Sequence, residues 1–429
     1  MQRLTSVFGR KAKLKILFTF ENPLPSPEAD AEVFVNTAES LASLSDQPCW
    51  IHVPLPKHTK REGEPTVAGI TVVRALAPIR PAFLRHIFCA MTLVCHRAYW
   101  QADLVYTRNL WVARWALAFG QRVVFDHYRP WADQIPPLQG WIYRILCHRH
   151  LLAHICHSEY TRRSYLRLGV PESRVMCVHN GYDPTRLGTP MEKHAARKAI
   201  GVSPGGTVVV YTGRINERKG LEIVIAAARR LPEVTFVLVG SYGDGPIEQS
   251  ARDVPNIRFF PWQSDTELPK FLYAADMLLI PPSTKPLGQH GVTILPLKTF
   301  LYMGTGRPIL AGDTPDLNEV LSHGRNAFLC RTDHTESLVA AIRTLAADPV
   351  LRESLAAVAL HDARGFSWAA RAKRIREIVE PRLALTREGH SFRDRVRRSA
   401  NWFFNLVLRR SWVLPPDTKP PGGTPPDRD

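Results

Sequence analysis

Two cations placed five residues apart behind a glycine are the part of this sequence best suited to chemistry. Val208, Val209 and Val210 lead through Tyr211-Thr212 to Gly213, and the β-branched run predicts a buried strand ending in a turn. Arg214 follows at once, Lys219-Gly220 comes next, and Leu221, Ile223, Val224, Ala227 and Ala228 then recur at helical spacing. A strand end, a glycine turn, two cations and a helix N-terminus together suit a doubly charged anion such as a diphosphate. The helix's unpaired N–H groups and its dipole favour negative charge there. The plain alternative is a pair of solvated cations at a strand end, and a motif this short needs the rest of the chain to decide.

The elements that must position these residues follow from length and pattern. A chain of 429 residues is too long for one core and predicts two domains of about 170–200 residues with tails. Hydrophobic residues at 45% and charged ones at 22% are ordinary for a globular protein. The net charge of +17 is not, and it calls for anionic partners: phosphorylated small molecules, nucleic acid or an acidic membrane surface. No aromatic-interleaved basic motif supports nucleic acid, which is therefore not an expected partner. The seven cysteines are odd in number and follow no disulfide or zinc spacing, which predicts a reducing compartment. Cys147, His148, His150, His154, Cys156 and His157 crowd together without standard ligand spacing, so they read as packing and surface residues and no metal is expected. Basic Met1–Lys15 has no long apolar run behind it, and no stretch reaches the roughly 18 apolar residues of a spanning helix. The expectation is a cytoplasmic protein, with peripheral contact at the inner membrane face left open.

Strands are predicted at residues 14–20, 50–53, 69–73, 103–106, 122–126, 153–156 and 175–178, with helices over 33–44, 83–100, 110–119, 141–148 and 160–168. After a connector around Pro184–Pro190 the alternation restarts, with strands at 208–212, 234–240, 257–260, 277–280 and 308–311. Helices over 296–303, 335–346, 350–363 and 368–379 complete the second half. Alternation of this kind predicts an α/β class with two parallel sheets, each taking ligands beyond the carboxyl ends of its strands, and a cleft between the domains.

Several segments in this order carry a resemblance. Asp103–Arg108 (DLVYTR), Val123–His127 (VVFDH), His157-Ser158, Val178–Asp183 (VHNGYD), Gly213-Arg214 with Lys219-Gly220, Val237–Gly240, Lys298–Met303 with Gly306–Ala311, and Glu319-Val320 are similar to the GT-B glycosyltransferases of the retaining family-four group. The resemblance implies two Rossmann-like domains, the first binding a sugar acceptor and the second a nucleotide-diphosphate sugar, with no further cofactor and no metal. It implies that Gly213, Arg214 and Lys219 hold the diphosphate, and that Gly240, Gly288, Thr293, Lys298, Thr299 and Leu301 belong to the donor site. Asn22, Arg108 and Asn180 are the implied acceptor contacts. Arg214 and Lys219 are implied to act catalytically, since cations aimed at a leaving diphosphate lower the barrier to its departure. Asp126-His127 falls where the family places a histidine against the reacting sugar; read from the residues alone, the histidine caps a helix or satisfies a carbonyl.

One departure bears on activity. The family carries two glutamates near this segment; the second position is Leu301 here, and the first is Thr293 by counting eight back or lies in Lys285-Pro286-Leu287-Gly288, with extra residues after it and the charge reversed. Leucine cannot accept a ribose hydroxyl. Either recognition has moved, to the backbone of residues 288–293 and the Thr299 hydroxyl, or the chain is a catalytically inactive GT-B module that binds a sugar, nucleotide or protein partner. The expected function is the retaining transfer of a sugar to a saccharide or lipid-linked acceptor, in polysaccharide or glycolipid synthesis.

The expected organisation is a basic arm at 1–13, an acceptor domain at 14–185, a donor domain at 186–384, a basic segment at 385–412 and a disordered tail at 413–429. In the basic segment Phe392, Val396, Ala400, Phe403, Phe404 and Val407 recur at helical spacing among arginines. Such a helix can lie in an anionic membrane interface or pack back on its own first domain.

Overall fold

The computed structural model describes residues 14–24, 26, 28–54, 68–78, 80–285 and 295–385. The basic arm, Gly288, Thr293, the basic segment beyond Leu385 and the tail lie outside the described residues. The chain forms two units, one of residues 1–178 and 371–429, the other of residues 179–370.

The first unit carries seven parallel strands: β1 (Ile16–Thr19), β2 (Trp50–Val53), β3 (Thr71–Arg74), β4 (Leu104–Thr107), β5 (Val123–His127), β6 (Leu151–Cys156) and β7 (Val175–Cys177). Their order is β3-β2-β1-β4-β5-β6-β7. The runs are largely apolar, as a sheet covered on both faces requires, and every residue of β6 is buried. Alternation splits each strand between two cores. Ile16 and Phe18 join Tyr106, Val124 and Ile155 on one face, while Leu17 joins Val105, Phe125 and Cys156 on the other. Thr19 pairs with Thr107, and Thr107 with Phe125, so β1, β4 and β5 end side by side.

The second unit carries six parallel strands: β8 (Thr207–Thr212), β9 (Val234–Ser241), β10 (Ile257–Pro261), β11 (Met277–Leu279), β12 (Ile309–Gly312) and β13 (Phe328–Cys330), in the order β10-β9-β8-β11-β12-β13. Val208 and Val210 face one core, Val209 and Tyr211 the other. This is the expected α/β class, two parallel sheets with helices.

Three boundaries differ from the sequence expectation. The change of unit falls after Val178 rather than after residue 185, because the NGYD segment belongs to the second unit's fabric. There Tyr182 N–H donates to Phe366 O at 2.9 Å, and a Cβ on Gly181 would stand 2.7 Å from the Ser367 and Trp368 backbone. From Arg371 onward the helix Trp368–Leu385 belongs to the first unit, where Ala372, Ile375, Val379 and Leu383 join the core beside Ile16 and Phe18. The expected helix at 83–100 is instead a helix Ala82–Thr92, a turn Leu93–Cys95 and a helix Arg97–Gln101. β13 is a short strand with only Cys330 buried, which gives hydrophobic periodicity little to register.

Candidate active site

In the second unit the site grows from the end of β8. Gly213 has φ +131° and its N–H donates to Val239 O at 2.9 Å, so β8 and β9 stay joined past the strand end. Gly240 has φ +117°, and a Cβ there would meet Gly213 O at 2.3 Å. The two backbones cross too closely for any side chain, so Gly240 is a packing requirement of the turn. Arg214 and Lys219 both stand exposed beyond it. Asn216 begins the short turn Glu217–Lys219 by accepting from Arg218 N–H at 3.1 Å. Gly220 closes it in the left-handed region at φ +65°, where a Cβ would lie 2.2 Å from Ser283 Cβ. The helix Glu222–Arg230 then starts with no side-chain cap on its N–H groups.

A third cation completes this place. Lys298 and Tyr302 are four apart on the helix Leu297–Met303 and so share a face. Tyr302 Oη accepts from Thr212 N–H at 2.8 Å, which docks that face on the end of β8. Lys298 Nζ lies 3.8 Å from the centroid of the Tyr211 ring, and a Cβ on Gly213 would meet it at 2.8 Å. Burial, and then the charge of Lys219, hold the Lys298 ammonium well below the usual lysine range. The protein around its ammonium, and then the charge of Arg214, lower Lys219 in turn, although the side chain as a whole keeps solvent-exposed surface. Neither lysine has a carboxylate partner among the described residues. Three like charges held together in this way are relieved by an anion.

The same helix gives Leu301 and Thr299 other places. Leu301 is 7% exposed and packs in the second unit's core, and Thr299 is fully buried, its hydroxyl without a partner among the described residues.

In the first unit the neighbours Asp126 and His127 face opposite sides of β5, as strand alternation requires. Asp126 is the buried centre of a network: it accepts from Tyr106 Oη at 2.5 Å, His157 Nε2 at 2.6 Å and Arg371 Nη2 at 2.8 Å. Burial alone would raise its carboxyl, but Arg371 and then His157 reverse this and hold it well below the usual range. Burial pushes His157 down to about 4, so it meets Asp126 as a neutral donor. With every partner inside the fold, Asp126 anchors Arg371 and the last helix, a structural role in place of the expected catalytic one.

His127 keeps a chemical handle. Its ring is stacked on Tyr128 at 5.0 Å and lies tilted against Trp131 at 3.8 Å, and its Nδ1 accepts from Arg129 N–H at 3.0 Å. Burial first, then Arg108, keep the ring neutral. With Nδ1 accepting, the proton sits on Nε2, which has no hydrogen-bond partner among the described residues. Arg108 follows β4, is 3% exposed, donates to Asp30 O at 2.8 Å and pairs with the Asp30 carboxylate at 2.7 Å. Asn22 Oδ1 accepts from Arg85 Nη2 at 2.8 Å. Asn180 belongs to the second unit, and its Oδ1 is buried and unpartnered among the described residues. His154 is a packing histidine, stacked on Phe125 at 4.9 Å.

The sequence reading did not find Glu21, Tyr211, Tyr302 or Arg371. Arg371 and Asp126 are 245 positions apart, and no local spacing signals such a pair.

A family model described as "Glycosyl transferases group 1" matches residues 206–348, and one described as "Glycosyltransferase Family 4" matches residues 31–186. A D-inositol 3-phosphate glycosyltransferase from a Nocardioides species is 28% identical over 241 residues, which are 50% of each chain. Another of that name from Mycobacteroides abscessus is 30% identical over 209 residues, 47% of this chain and 45% of the relative. The chain thus spans about half the length of the curated relatives it matches. The structure of HepE from Anabaena in complex with UDP-glucose is similar at a TM-score of 0.64 and 17% identity, over 86% of this chain and all of that one. A sucrose-phosphate synthase from Thermosynechococcus elongatus is similar at a TM-score of 0.68 and 16% identity, over 87% and all of the two chains. With both sheets and both family models in place, the chain belongs to the GT-B glycosyltransferases of the group 1, family-four type.

Proposed function

We propose that the protein transfers a sugar from a nucleoside diphosphate to a saccharide or lipid-linked acceptor, with retention and without a metal, in cell-surface polysaccharide or glycolipid synthesis. The observation that carries this reading is the group of Arg214, Lys219 and Lys298 around Gly213, two of whose members are depressed first by burial and then by a neighbour's positive charge. Breaking the sugar–phosphate bond places negative charge on the departing diphosphate, and fixed cations there stabilise it as it forms. They offer the charge that a divalent metal supplies elsewhere. His127, neutral and with its proton on Nε2, donates to a sugar hydroxyl and stays uncharged as the reacting carbon becomes positive. The UDP-glucose bound to HepE and the inositol phosphate named for the curated relatives support a nucleotide-sugar donor and a polyol acceptor. The site chemistry needs no protein nucleophile, since the acceptor attacks on the face the diphosphate leaves.

One observation favours a second reading, a binding module without turnover: Leu301 occupies the position of a family glutamate and is packed in the core. The two readings separate on measurement of UDP binding by calorimetry and of UDP release from UDP-glucose and UDP-galactose. Binding with release supports the transferase, binding without release supports a nucleotide-binding module, and a wild type that binds none of UDP, GDP, ADP and TDP overturns the transferase and leaves only a module for a sugar or protein partner.

A further inference from the structure

Glu21 lies two residues beyond β1 and Arg108 directly beyond β4, and the pairing of Thr19 with Thr107 sets these strand ends side by side. The Oε2 of Glu21 and the Nε of Arg108 are both buried, and neither has a hydrogen-bond partner among the described residues. Buried polar atoms rarely stay unpaired, because each has given up water without a replacement. Here an acceptor and a donor of opposite charge are left open in neighbouring loops. They do not close on each other, although the charge of Arg108 acts on Glu21.

The surroundings hold that gap open. Arg108 is fixed from its other end by the Asp30 backbone and carboxylate and lies over the Tyr128 ring at 5.4 Å. On the loop that carries Glu21, Asn22 is tied to Arg85. Glu21 thus sits within a frame of charges, Asp30 from the helix Ala29–Ser43, Arg108 from the β4 loop and Arg85 from the helix Ala82–Thr92, with the neutral Cys89 thiol of that last helix facing it. Arg108 is also the first charge acting on His127 at the end of β5, so Glu21, Arg108 and His127 form a row along the ends of three adjacent strands.

We infer that Glu21 and Arg108 form a subsite for one hydroxyl of a polyol acceptor, the Glu21 carboxylate accepting the hydroxyl proton and the Arg108 Nε–H donating to its oxygen. A single O–H group satisfies both atoms, that of a water in the free protein and that of a ligand hydroxyl which displaces it, whereas an apolar group or an ion of one sign does not. A carboxylate is a stronger acceptor than a neutral carboxyl, so the subsite is tighter above the Glu21 pKa, which burial raises to about 7 against the opposing pull of its own backbone N–H. This inference rests on the transferase reading only for the role of the polyol as acceptor.

The test is ligand-observed NMR on the full chain with myo-inositol, methyl α-D-glucopyranoside and methyl α-D-mannopyranoside, for wild type, Glu21→Gln and Glu21→Leu, at pH 8 and pH 6. UDP binding by calorimetry is measured on the same samples. At least one polyol is expected to bind the wild type, about fivefold or more weaker in Glu21→Leu, and weaker at pH 6 than at pH 8 in the wild type but not in Glu21→Gln. Equal UDP affinity across the three proteins shows that the variants are folded, and Glu21→Gln decides if Glu21→Leu is not. Binding of none of the three polyols, or binding unchanged by both substitutions, overturns the subsite. Polyol binding by a wild type that takes no nucleoside diphosphate leaves the subsite standing and overturns the transferase reading.

Discussion

The ammonium of Lys298 lies 3.8 Å from the centroid of the Tyr211 ring, on the strand that delivers Gly213 and Arg214. The ring face attracts the cation, while burial and Lys219 work against its charge. A diphosphate reverses that balance. Its arrival raises the Lys298 pKa again, so UDP binding should take up protons wherever the pH leaves Lys298 neutral in the free protein, a range that a pH series locates. Calorimetry in buffers of different ionisation enthalpy measures this directly. Lys298→Met should abolish the uptake and weaken UDP about tenfold or more, as removing a charge-assisted contact does. Unchanged uptake in Lys298→Met would assign the proton elsewhere.

The two glycines at the strand ends should differ in cost. A Cβ on Gly213 meets the end of a flexible lysine, which can move away, whereas a Cβ on Gly240 meets a backbone oxygen at 2.3 Å. Both also strain a left-handed backbone. Gly240→Ala should therefore destabilise by about 3 kcal/mol or more and Gly213→Ala by roughly 1–2 kcal/mol, read from urea denaturation. Gly213→Ala should nevertheless lose more UDP affinity per unit of stability, because its methyl displaces Lys298.

Asp126 and His127 are neighbours with separable consequences. Asp126→Asn leaves the Arg371 guanidinium buried without its counter-charge and should cost roughly 3–5 kcal/mol. The folded pKa of Asp126 lies below its usual 3.8, so its stabilisation is present above that value and is lost as pH falls towards the folded pKa. The wild type should thus show an acid-unfolding limb that Asp126→Asn lacks. His127→Gln should keep the melting temperature within a few degrees while lowering sugar transfer on the order of 100-fold. Equal losses of stability in the two variants would make His127 a packing residue.

Glu21 should carry the signature of a group kept for function at the expense of stability. Its pKa rises from the usual 4.5 to about 7 in the folded chain, chiefly through burial. A group so raised contributes its stability below pH 4.5, and that contribution is lost as pH climbs through about 7. Glu21→Gln should therefore be more stable than the wild type by roughly 1–3 kcal/mol at pH 8 and lose nearly all of that advantage at pH 4. Differential melting at the two pH values is the check, and a stabilising effect equal at both would remove the ionised Glu21 from the account.

Much of the fold was legible because it depends on short-range pattern. The apolar runs of β1, β4, β5, β8 and β9, and the alternation with helices, announce two covered parallel sheets. Gly213, Arg214 and Lys219 were legible for the same reason: one strand, one turn and one helix start place them. Lys298 was found only through a resemblance, since nothing near it in sequence indicates that it lies over Tyr211.

By itself the sequence determined the α/β architecture and the place of the anion-binding turn, because β-propensity, helical periodicity and glycine's tolerance of positive φ act over a few residues. Only the tertiary structure decided that Asp126 serves Arg371, that Leu301 is a core residue, and that Glu21 and Arg108 leave a donor and an acceptor open to each other. Burial and pairing are properties of surroundings assembled from distant segments, and the same carboxylate is an anchor in one such environment and a binding group in another.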